Sequence, residues 1–124
     1  MERRRHSSGS PFEPVIGFSR AIRIGERVLV SGTGPVGADD GDPAAQMRRC
    51  VEIVADALDG LGASLDDVVR TRIYLTDASH WQAVGEVHGE AFGTARPAAT
   101  MVVVKALLDP RWTVEIEAEA LLRS

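Results

Sequence analysis

The sequence predicts an α+β protein in the order ββαβαββ, one mixed sheet of four to five strands packed on two helices. Three observations carry that prediction. β-branched and alternating runs recur near residues 18–31, 68–76, 99–105 and 112–120. Two intervening stretches repeat apolar residues at spacings of three and four, and Gly, Pro and Asp clusters separate the runs.

Taken in order, residues 1–14 hold Ser, Gly, two prolines and the basic tip Arg3-Arg-Arg5, and are read as a flexible, irregular segment ahead of a single domain spanning 15–124. Phe18 to Ile24 and Arg27 to Ser31 form two strands with Gly25-Glu26 as their hairpin turn. Asp42-Pro43 opens a helix, Asp as N-cap and Pro at the first helical position. Met47, Val51, Val54, Leu58 and Leu61 form its apolar stripe, and Gly60 and Gly62 end it. Val68 to Thr76 is a strand with Val69, Thr71, Ile73 and Leu75 on one face and Arg70, Arg72 and Tyr74 on the other. Ser79 to Gln82 has capping-box spacing, and Trp81, Val84, His88 and Ala91 continue as a helical stripe. Two strands joined by a short Pro-containing loop close the chain.

Two helices cover one face of such a sheet. Yet Met101 and Val103 point opposite to Val102, and Val28 and Val30 opposite to Leu29. Strands that are apolar on both faces need cover on both. A second copy of the chain is the expected cover, which predicts a homo-oligomer with any pocket lying between chains.

Composition narrows the function. Hydrophobic residues make up 44% and charged ones 26%, an ordinary globular balance, while a formal net charge of −4 disfavours a nucleic-acid partner. The single cysteine, Cys50, excludes an internal disulfide and fits a reducing cytoplasm, and Cys50 itself reads as a small core residue. No apolar run approaches the eighteen or so residues of a membrane span, and none follows the N-terminal arginines as in a signal peptide, so no membrane partner is expected.

Few motifs carry chemistry. Ser31-Gly-Thr-Gly-Pro35 lacks the Gly-Lys-Ser/Thr of a phosphate loop and reads as a rim where backbone N–H groups approach a small ligand. His6, His80 and His88 form no metal-ligating spacing, so neither a metal nor a cofactor is expected. Glu115, Glu117 and Glu119 project from one face of the last strand, with Arg70 and Arg72 as the partners available to them. A carboxylate in such a row whose pKa is pushed upward is a candidate general base.

Several dispersed segments fall in the order seen in the Rid/YjgF family, formerly called endoribonuclease L-PSP or translation initiation inhibitor. They are Gly17-Phe-Ser-Arg-Ala-Ile-Arg-Ile-Gly25, Val28-Leu-Val-Ser-Gly32, Leu65-Asp-Asp-Val-Val69, Ala83-Val84 with Ala91-Phe92, Arg96-Pro97-Ala98 and Val114-Glu-Ile-Glu-Ala118. The chain resembles that family over about residues 15–121. The resemblance implies a chorismate-mutase-like fold, a homotrimer, and small-molecule pockets at the subunit interfaces. It further implies hydrolysis of 2-imino or enamine acids, in which an arginine grips the substrate carboxylate and a glutamate positions water.

Glu115 falls at the glutamate position and Gly32 at the rim glycine. Ala99 stands where the arginine belongs, Phe18 where a tyrosine does, and Gly85 where an asparagine does. The expected protein is therefore a divergent member with Glu115 as its catalytic residue. Its substrate-binding residues would be Phe18, Ser31, Gly32, Thr33, Gly85, Ala99, Thr100, Met101 and Trp112. Its substrate would be an imine- or enamine-type metabolite that needs no arginine clamp, unless Arg20, Arg72 or Arg96 replaces the missing guanidinium. The alternatives are a non-catalytic ligand- or partner-binding trimer, and a ribonuclease or translation inhibitor, against which the acidic balance argues.

Overall fold

In the computed structural model, which describes residues 1–123, six strands form one mixed sheet. They are β1 (Arg3–His6), β2 (Ala21–Ile24), β3 (Arg27–Thr33), β4 (Val68–Leu75), β5 (Ala98–Val103) and β6 (Val114–Leu121), arranged β1-β2-β3-β6-β4-β5. Only β4 and β5 run parallel. The last two strands are thus separated by β4 instead of pairing with each other. Helices α2 (Pro43–Gly60) and α3 (Trp81–Phe92) cover one face, and the short α1 (Phe12–Ile16) precedes β2.

The local signals explain most of these elements. Gly25, at φ +60°, turns β2 into β3 with Ile24 opposite Arg27. The Asp42 carboxylate accepts the Ala45 amide at 2.8 Å and caps α2. Gly62, at φ +81°, closes that helix while the Ala63 amide reaches back to the Leu58 carbonyl at 2.8 Å. Val28, Val30, Ile73, Leu75, Val114 and Ile116 meet Met47, Cys50, Val54, Leu58, Val84 and Phe92 in a single core.

Four expectations are corrected. Residues 1–14 are not irregular: β1 pairs with the free edge of β2, and α1 follows. Backbone pairing and a polar network hold that segment, so no apolar period announces it. The buried face of α2 is rotated, with Gln46, Cys50 and Ile53 inside and Val51 only half-buried. On β4 a bulge between Val68 and Arg70 turns Val68 inward and leaves Val69 48% exposed. Ahead of α3 the side-chain cap belongs to the 3-10 turn Ala78–His80, where the Asp77 carboxylate accepts the Ser79 amide; α3 itself starts after His80 with no side-chain cap, and Trp81 stands outside at 62% exposure.

The register defines the opposite sheet face. Leu29, Glu115, Glu117, Glu119, Arg70, Arg72, Tyr74, Ala98, Thr100 and Val102 lie on it, and among the described residues no helix covers it. The β6 glutamates alternate with buried Val114, Ile116, Ala118 and Ala120 as their spacing predicted. Arg72 sits 3.5 Å from Glu117 and 3.9 Å from Glu119, and Arg27 lies 3.8 Å from Glu119. The Tyr74 hydroxyl donates to Glu117.

Candidate functional site

The β3–β6 ladder breaks between Val30 and Thr33, where Ser31 and Gly32 bulge away from regular pairing. A pocket of about 90 Å³ opens beside this bulge. Gly32 and Thr33 of β3, Glu115 of β6, Arg49 and Ile53 of α2, and Phe18, Arg20, Leu108 and Trp112 line it. Ser8, Gly9, Ser10 and Phe12 of the N-terminal segment close one side.

Glu115 is half-buried there, and burial raises its pKa, with Arg20 pulling it back and Glu117 adding to the rise. The carboxylate lies so near Gly32 that a β-carbon at that position would come within 2.9 Å of Oε2. Glycine is what lets the strand pass. At Gly34 a β-carbon would fall 2.4 Å from the Trp112 ring, so glycine also seats the indole that walls the pocket. Trp112 is fixed by its Nε1–H, which donates to Asp39 at 2.8 Å, and by an edge-on contact with Phe12 at 5.7 Å between centroids.

Arg20 is 4% exposed. Its Nη1 donates to the Gly32 carbonyl at 2.6 Å and to Thr33 Oγ1 at 3.2 Å, and its Nε donates to Ser8 Oγ at 3.2 Å. Its guanidinium lies 5.2 Å from the Phe18 ring centroid. Behind it Glu13, 5% exposed, accepts from Ser8 Oγ at 2.5 Å, the Ser8 amide at 3.2 Å and the Ser10 amide at 3.3 Å. Burial opposes ionisation of Glu13, but those hydrogen bonds and Arg20 outweigh it and hold the pKa below the ordinary value.

Of the residues singled out from sequence, the structure brings Phe18, Gly32, Thr33, Trp112 and Glu115 together. Ser31 adjoins them but turns its hydroxyl to the Ser19 carbonyl at 2.7 Å. Ala99, Thr100 and Met101 lie on β5, separated from β3 by β6 and β4, and Gly85 faces open space on α3. Arg20 is the one of the three arginine candidates that lines this pocket, whereas Arg72 joins Glu117 and Glu119 and Arg96 follows α3. Sequence reasoning passed over Glu13, Ser8, Ser10 and Arg49. A signal was present for the first: Ser10-x-x-Glu13 has capping-box spacing.

Among the described residues no group of three His, Cys, Asp or Glu side chains could hold a metal ion, and no helix is long and apolar enough to cross a membrane. His88 is occupied with Thr71 Oγ1 at 2.8 Å, and burial lowers its pKa. Cys50 is fully buried, and burial first, then Glu115, raises its thiol pKa far above the ordinary range.

The same architecture occurs in known proteins. A solved structure from Mycobacterium tuberculosis, described as a member of the highly conserved YjgF/YER057c/UK114 family, is 53% identical with a TM-score of 0.92, covering 98% of this chain and 100% of that one. A RutC family protein of Pyrococcus abyssi is 35% identical over 114 residues, 88% of this chain and 87% of its own length. The 3-aminoacrylate deaminase RutC of Acinetobacter baylyi is 34% identical over 115 residues, 89% of this chain and 88% of its own length. The family model described as endoribonuclease L-PSP matches residues 9–122. With that match spanning β2 to β6, both long helices and the pocket lining from Gly9 onward, the chain belongs to the endoribonuclease L-PSP family, the Rid/YjgF group.

Proposed function

We propose that this chain is a hydrolase of imine- or enamine-type metabolites that carry little or no negative charge, acting in the cytoplasm as a homotrimer with one pocket per subunit interface. The observation that carries the reading is Glu115, a half-buried carboxylate of raised pKa seated against Gly32 in a pocket of about 90 Å³. A relative is named for deaminating 3-aminoacrylate, an enamine acid, which supports the reaction class. The substrate class differs because Ala99 leaves no carboxylate clamp on β5.

In this reading Glu115 takes a proton from water as the oxygen adds to the C=N carbon. Glu115 passes that proton to the nitrogen, then relays the adduct's hydroxyl proton to the same nitrogen as the C–N bond breaks, so that a carbonyl compound and ammonia leave and the carboxylate is ionised again. Backbone N–H groups of the Ser31–Thr33 rim and around Met101 steady charge that develops during addition. Gly85, Ala99, Thr100 and Met101 reach the pocket from a neighbouring subunit. The uncovered sheet face, with Leu29 half-buried and Val102 42% exposed, supports such an assembly, since burying an apolar side chain stabilises by roughly 1.5–3 kcal/mol.

The test compares ammonia release from 2-iminobutyramide and 2-iminobutyrate, with light scattering to give the mass. The expected result is turnover of the amide, none of the acid, loss of turnover in Glu115→Gln, and a particle of three chains. Binding of the amide with no turnover by the wild type would make the protein a ligand-binding trimer instead. A monomer in dilute solution would remove the interface pocket altogether.

A further inference from the structure

Arg20 places a guanidinium in the pocket wall without acting as an obvious anion clamp, and the reason lies behind it. Three of its five N–H groups are committed: Nε to Ser8, and Nη1 to the Gly32 carbonyl and Thr33 Oγ1. The Nη2 edge makes no hydrogen bond among the described residues. Its nearest carboxylate is Glu13 Oε2, at 3.7 Å, beyond the 2.7–2.9 Å of a charge-assisted hydrogen bond, while Glu115 across the pocket feels the same guanidinium charge more weakly. The positive charge is therefore matched while a donor edge stays unused.

Glu13 cannot swing aside to yield its place, because Oε2 is held by the Ser8 hydroxyl and by the Ser8 and Ser10 amides. It is buried, so water and salt screen it less than they would an exposed carboxylate. A carboxylate ligand reaching Arg20 would meet a fixed, weakly screened like charge. An amide or carbonyl oxygen would meet only the open N–H donors.

We propose that Glu13 is the specificity-determining residue of this pocket, an internal counter-ion that reserves Arg20 for an uncharged hydrogen-bond acceptor and rejects acids. The proposal deepens the hydrolase reading and rests on it for the identity of the site, but concerns binding alone. It adds a repulsive element to the loss of an arginine at position 99, so acids are excluded twice.

Calorimetric titration of the full-length protein with butyrate and butyramide provides the test. Wild type binds butyramide at least tenfold more tightly than butyrate. Glu13→Gln, which keeps a carbonyl oxygen for Ser8 and Ser10, gains at least tenfold for butyrate and stays within threefold for butyramide. That gain shrinks in high salt and disappears in Glu13→Gln/Arg20→Met. Absence of the butyrate gain in folded Glu13→Gln overturns the proposal. Should Glu13→Gln fail to fold, the wild-type pair decides: butyrate bound as tightly as butyramide overturns it equally. No turnover enters these measurements, so a Glu115→Gln protein that still hydrolyses imines would defeat the hydrolase mechanism and leave the ligand ranking standing.

Discussion

Replacing Gly32 with Ala probes the candidate site through one methyl group. The added β-carbon would lie 2.9 Å from Glu115 Oε2 and 3.3 Å from Cδ, where ordinary contact begins at 3.4 Å, so one side must retreat by about half an ångström. The backbone is poorly placed to yield, because Arg20 Nη1 grips the Gly32 carbonyl at 2.6 Å and is itself buried. The φ of Gly32 is not in the left-handed region, so the change adds no backbone strain. Alanine also restricts the unfolded chain, a gain of about 0.4–1 kcal/mol that offsets part of the crowding. The carboxylate is what moves. A misplacement of 1 Å at a reacting group costs on the order of a hundredfold, so half that distance corresponds to about tenfold in kcat/KM. The assay is ammonia release from 2-iminobutyramide, paired with a thermal melt. The expected pattern is a roughly tenfold loss of rate with Tm within about 4 °C of wild type, the span of about 1 kcal/mol at this size. Full activity at unchanged Tm would show that the position of Glu115 against Gly32 does not govern the chemistry.

Two further outcomes follow from particular side chains. The folded-state pKa of Glu115 is raised above its unfolded value, so the folded protein holds this proton longer and loses stability as pH rises through the folded pKa. Melts of wild type and Glu115→Gln should accordingly coincide near pH 4 and diverge in favour of the variant toward pH 7, while wild-type kcat/KM climbs over the same window as the base ionises; a variant melting lower at pH 7 contradicts the assignment. Gln46, fully buried, donates to the Asp39 and Arg111 carbonyls at 2.9 Å and accepts from the Thr113 amide at 2.7 Å and hydroxyl at 2.8 Å. Gln46→Met keeps the volume but strands those groups at about 1–3 kcal/mol each, so Tm should fall by at least ~10 °C, as read by calorimetry.

What the sequence made legible had a local cause. Asp42-Pro43 announces a helix start because the cap is made within four residues. Gly25 announces a hairpin because the turn must take a positive φ. The alternation from Val114 to Leu121 survives intact because β6 is central, held by β3 on one side and β4 on the other. The same alternation placed Glu115, Glu117 and Glu119 together on one face, and it was the resemblance to the Rid/YjgF family that singled out Glu115 among them.

The rest depended on distant partners. A single bulge reversed Val68 and Val69, and no periodicity records where the partner strand will slip. Gln46 sits in the core of a helix whose stripe looked one residue out of phase, and its polarity is affordable only because two loops, around residues 39 and 111–113, bring backbone groups to it.

The N-terminal segment was hidden more deeply. Apolar burial is what a sequence pattern detects, and α1 leaves Val15 and Ile16 exposed while burying Glu13. Its order comes from hydrogen bonds that converge on one carboxylate oxygen and from a buried arginine just ahead of β2. A buried ion pair is a poor source of stability beside apolar residues of the same volume, because both charges must leave water. Here Glu13 and Arg20 do two things at once: their hydrogen bonds order the segment, and their charges set the field at the pocket wall that Arg20 lines, and Glu13→Gln separates the two because it keeps an acceptor for Ser8 and Ser10 while removing the charge.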